Sequence, residues 1–83
     1  MNTTVVIMYQ PFVMEQMVIV YQNGEIVDNR KEIVERIPQL MRELSSQYGV
    51  SSISLIGNAD YLGRFQNEIM SQVPTSVKVN VLN

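Results

Sequence analysis

The chain has 83 residues, 46% of them hydrophobic, and a formal net charge of −2 from six Lys and Arg against eight Asp and Glu. That length is one domain's worth, and the acidic balance argues against a nucleic-acid backbone as partner. Cysteine and histidine are both absent, which removes disulfides, thiolate metal sites, thiolate nucleophiles and imidazole bases, and points to a soluble, cytoplasmic protein without a metal or cofactor.

Residues 3–9, TTVVIMY, are β-branched and apolar on both side-chain parities, the pattern of a first strand covered on both faces. Gln10-Pro11-Phe12 breaks the run with a turn, because Pro11 cannot donate to a ladder. A long second strand follows over 13–22, VMEQMVIVYQ, and Asn23-Gly24 then carries the strongest short hairpin signal, since both residues tolerate the positive φ of a type I′ turn. A short third strand over 25–28 pairs back. Asn29 and Glu32 have the spacing of a capping box. Ile33, Val34, Ile37, Leu40, Met41, Leu44 and Tyr48 form a helical stripe, predicting a helix over 30–48 that Pro38 either kinks or divides. Gly49 closes it as a left-handed cap. A fourth strand is expected over 51–56. A second helix over 58–72 has Ala59, Leu62, Phe65 and Ile69 on one face and is ended by Pro74, and a fifth strand over 76–82 alternates Val77, Val79 and Val81 with Lys78 and Asn80.

The element order is therefore β-β-β-α-β-α-β in a single domain of the α/β class. Right-handed crossovers place the fourth and fifth strands parallel beside the first, giving one mixed five-stranded sheet of order 3-2-1-4-5. Both crossovers run the same way, so both helices land mainly on one face. This topology resembles a truncated core of the ribonuclease H-like superfold, shared by many nucleases and by actin-like ATPase domains. The resemblance spans the whole chain but rests on topology alone, with no specific motif. A metal-dependent nuclease of that superfold would need a carboxylate on the first strand, and residues 5–9 contain none. A divergent nuclease would require Glu15 and Asp60 to converge. An actin-like phosphate loop would need an acid and glycines between the first two strands, where this chain reads YQPFVME.

Two candidate sites remain. In the stretch SLIGNADYLGRF, Gly57-Asn58-Ala59-Asp60 follows a strand and opens a helix, the context of an anion site. Neither G-x-G-x-x-G nor G-x-x-x-x-G-K-[ST] fits. A ligand site here would use Gly57, Asn58, Asp60 and Tyr61, with Arg64 neutralising an anion. Without a ligand, Gly57 makes a tight turn, Asn58 caps the helix, and Asp60 complements its dipole and pairs with Arg64. The second candidate is the sheet face without helices. On both early strands each parity is apolar, so an apolar patch remains there whichever way they face, and a contiguous patch on a small domain marks an interface. Val6, Met8, Met14, Val18 and Val20 are its candidate residues. The expected function is a non-enzymatic protein-interaction module, with a homodimer as the default assembly and edge-to-edge strand pairing as the competing geometry. A small regulatory or ligand-binding domain at the Gly57 turn is the alternative. Compact size without catalytic residues also suits a phage or mobile-element accessory protein acting on a host factor.

Overall fold

The computed structural model describes residues 2–82. Strands β1 (Thr3–Met8) and β2 (Glu15–Gln22) pair antiparallel, with Val6 opposite Ile19 and Met8 opposite Met17. Asn23 and Gly24 adopt φ of 53° and 84°, the left-handed pair that a type I′ turn requires. They lead into β3 (Glu25–Ile33). This strand runs to residue 33 rather than 28, so the first part of the expected helix is strand. The polar run Asp28-Asn29-Arg30-Lys31-Glu32 is tolerated there because β3 lies at the sheet edge, and its ladder to β2 outweighs the Asn29/Glu32 capping pattern.

One 3₁₀ turn, Val34–Arg36, precedes α1 (Ile37–Tyr48). Pro38 falls in the first turn of α1, where its missing N–H costs no hydrogen bond, so it does not kink the helix; the expected stripe is divided instead, into the short 3₁₀ turn before Ile37 and the longer α1 from Ile37 on. Gly49 ends α1 at φ 63°, its N–H reaching the Ser45 carbonyl at 3.1 Å. Then come β4 (Ser52–Ile56), α2 (Ala59–Met70) and β5 (Lys78–Leu82).

The sheet order is β3-β2-β1-β4-β5, with β4 parallel to both β1 and β5. Val5, Ile7, Val18, Val20, Ile53, Leu55 and Val79 form one core with Ile37, Leu40, Met41 and Leu44 of α1 and Leu62, Phe65 and Ile69 of α2. Both helices therefore cover the same face. The first strand is buried on that face only, so the expectation of cover on both sides is corrected: its other parity, Thr4, Val6 and Met8, is half-buried to exposed. Among the described residues no helix is long and apolar enough to cross a membrane.

Candidate functional site

Two concave regions meet at the end of the sheet where β1 and β4 terminate, one on each face. On the helix face, Tyr9 continues β1 by one residue, its N–H bonded to the Ile56 carbonyl at 2.9 Å. The chain then turns through Gly57, which sits at φ 156° with its N–H on the Leu82 carbonyl at 2.9 Å. A Cβ at Gly57 would stand 3.2 Å from both Leu62 Cδ1 and Tyr9 Cβ, so glycine lets the turn close against β1. Asn58 caps α2, its Oδ1 accepting from the Asp60 N–H at 2.9 Å.

Tyr9, Pro11, Asn58, Asp60 and Tyr61 surround a cavity of about 480 Å³. The rings of Tyr61 and Phe65 meet Tyr9 edge-on at 5.6 and 4.9 Å. The Tyr9 hydroxyl is buried with no hydrogen-bond partner among the described residues. Burial first, and then Tyr61, Glu68 and Glu35 nearby, push its pKa well above the usual tyrosine range.

The turn thus brings Asn58, Asp60 and Tyr61 together, with Gly57 as the hinge behind them. Arg64 is not with them. It lies on the next turn of α2, in an adjoining cavity of about 290 Å³ that shares Tyr9 and Tyr61 with the first and is closed by Val34, Phe65 and Glu68, and its ion pair is with Glu68 at 3.8 Å instead of Asp60. Asp60 lines the tyrosine cavity and Arg64 does not; Arg64 stands beyond the shared Tyr61, paired with Glu68. Glu15 and Asp60 are also apart: Glu15 lies on the helix-free side of β2 and Asp60 on a helix packed against the other face. The convergence a metal-dependent nuclease requires does not form, and no group of three acidic ligands able to hold a metal occurs among the described residues.

The helix-free face carries the second region. Of the five residues expected to form an interface, Val6 and Met8 lie on this face and Met14 stands in the β1–β2 loop, 81% exposed. Val18 and Val20 do not belong to it. They are 0% and 1% exposed, packed under the helices, because the pairing of β2 with β1 puts Met17, Ile19 and Tyr21 on the open side instead. The amino end of this face is polar, with Thr4 and Ser52 joined by a 2.9 Å hydrogen bond and Lys78 beside Ser52. The carboxyl end is apolar, with Met8, Met17, Ile56 and Leu82 on neighbouring strands.

The β1–β2 loop extends that apolar end. Phe12 is fully exposed at φ 69°, and Val13 is exposed beside Met14. The loop is fixed by a residue whose role the sequence pattern concealed. Gln16 shares the buried parity of Val18 and Val20 and is 2% exposed. Its Oε1 accepts from the Gln10 N–H at 2.8 Å, and its Nε2 donates to the carbonyls of Gln10 at 2.9 Å and Val13 at 3.3 Å. An amide preceding Val18 and Val20 on the same parity was the available signal. Beneath the loop, Met8, Gln10, Val13, Met14, Glu15, Met17 and Lys31 line a groove of about 440 Å³.

No family model matches the chain, and no curated protein does. Solved structures do. A Bacteroides thetaiotaomicron protein with an actin-like ATPase fold and unknown function superposes with a TM-score of 0.68 at 9% identity, over 94% of this chain and 32% of that one. The type II variant of an Aquifex aeolicus Ppx/GppA phosphatase superposes with a TM-score of 0.57 at 12% identity, over 98% of this chain and 36% of that one. The chain spans about a third of the length of each structure. The likeness is one of fold.

Proposed function

We propose that this domain is a non-enzymatic protein-interaction module whose contact surface is the apolar carboxyl end of the open sheet face together with the β1–β2 loop. One observation carries the reading: Phe12, Val13 and Met14 are held out on a backbone that the buried Gln16 side chain fixes. A loop with no role beyond connection would fold its apolar side chains inward, since burying a Phe or Met side chain is worth about 1.5–3 kcal/mol. Here Phe12 also occupies a left-handed conformation that disfavours a bulky residue, and such strain gathers where a surface is used. Methionines at 8, 14 and 17 supply side chains that adapt to a partner's shape. The absence of cysteine fits a reducing compartment, the cytoplasm.

The test is paired capture from an extract of the source cells, with the wild-type chain and Met17→Glu as baits. Met17 is exposed, so the variant keeps the fold while placing a charge in the patch. The wild-type bait retains at least one protein, a further copy of the chain included, that Met17→Glu does not. Identical retention by the two baits overturns the reading.

A further inference from the structure

We propose that the partner is a second copy of this chain: two copies dock loop to loop about a two-fold axis, Phe12 of each entering the methionine groove of the other and Glu15 of each pairing with Lys31 of the other. This rests on reading the hairpin end as an interaction surface, and it names the occupant.

Charge is the first argument. Glu15 and Lys31 both border the groove, on adjacent strands of the open face. Neither is in an ion pair among the described residues, where the pairs are Arg30 with Asp28 and Arg64 with Glu68. One acid and one base on a single rim are self-complementary, because a two-fold axis passing between them sets each against its opposite. A different protein would have to supply that pattern independently, whereas a second copy carries it by symmetry.

The position of Phe12 is the second. It projects from the same loop whose Val13 and Met14 line the groove. With knob and groove side by side, the contact is isologous and closes at two copies; a knob remote from its groove would propagate into a chain. The groove is lined mainly by thioether and aliphatic groups, which suit a phenyl ring.

The third argument removes the competing geometry. The edge of β3 carries Arg30, Lys31 and Glu32, and a register shift against β2 leaves Val27 as a bulge. At the other edge, the Gln66 Nε2 donates to the Val79 carbonyl at 2.8 Å. Charges, a bulge and an occupied acceptor are the devices that keep edge strands from pairing.

The experiment is light scattering on a size-exclusion column over a wide concentration range. The wild-type chain forms a dimer. Glu15→Lys and Lys31→Glu, each of which sets like charges together twice across the axis, weaken it by at least about tenfold. An equimolar mixture of the two variants restores the dimer, because each copy then offers what the other needs. Phe12→Ser, at a fully exposed position, also weakens it, while at dilutions where the chain is monomeric the melting temperature matches that of the wild type. Failure of the mixture to reassociate overturns the pairing. A wild-type chain that stays monomeric overturns self-association; if Met17→Glu still loses a captured protein, the interaction reading stands and only its occupant changes, whereas loss of both results removes both.

Discussion

The β1–β2 loop and the β4–α2 turn lie against each other at one end of the sheet, and polar groups hold each of them, yet they use their residues in opposite ways. In the β4–α2 turn, Gly57 closes against Tyr9, Asn58 caps the helix and Leu62 enters the core. Those three residues have work within the fold. In the β1–β2 loop the Gln16 amide holds a backbone whose side chains, Phe12 and Met14, stand in solvent. The glycine turn is thus used up by packing and capping, while the exposed side chains of the fixed apolar loop are not and form the basis of the proposed interface.

Gly57→Ala breaks the comparison on the side of the turn. The new Cβ meets Leu62 and Tyr9 at 3.2 Å from a backbone conformation that favours glycine. The expected loss is about 2 kcal/mol, which in a domain of this size lowers Tm by about 8–16 °C. Thermal unfolding followed by circular dichroism checks it. An unchanged Tm would mean the turn has slack, and its residues would again need an explanation outside the fold.

Gln16→Ala does the same for the loop. It removes the partners of the Gln10 N–H and of two carbonyls, at a cost of about 1–2 kcal/mol. The sharper readout is local: the Gln10 amide exchanges slowly in the wild type and fast in the variant, while amides of the β1–β2 ladder keep their protection. If Gln10 exchanges fast in both, the loop is not held, and the argument from a fixed apolar loop is lost.

Much of the fold was legible in the residues. Asn23-Gly24, the Gly49 cap, the two apolar stripes and the alternating last strand fix the sheet order, because each signal is local and the crossover rule joins them. The length of β3 was hidden, since an edge strand buries little and its polar residues look like a helix entry. The parity of β2 was hidden for the opposite reason. Val18 and Val20 are no more apolar than Met17 and Ile19, and what separates them is which set the helices cover. The candidate site was half legible: Met8 and Met14 stood out by type, but the loop's rigidity comes from Gln16, which an apolar strand pattern treats as an interruption.

The smallest effect probes the boundary between the two regions, at Tyr9. Its ring packs on Tyr61 and Phe65, while its hydroxyl is buried without a partner. Tyr9→Phe keeps the ring and removes the orphan group, so at neutral pH the variant is as stable as the wild type or more so, by less than about 1 kcal/mol. The difference then depends on pH in a definite direction. Burial holds the Tyr9 pKa above the ordinary value of 10.0, so below about pH 10 both folded and unfolded chains keep the proton and the hydroxyl adds no slope. Above that pH the unfolded chain releases the proton and the folded one retains it; the unfolded state binds fewer protons, and wild-type stability falls as pH rises. The advantage of Tyr9→Phe therefore widens between about pH 8 and pH 11 in urea unfolding. An advantage equal at both pH values would place the hydroxyl in contact with water. The tyrosine cavity would then be a solvent-filled opening, and the β4–α2 turn would share with its neighbouring loop a surface that the fold alone does not use up.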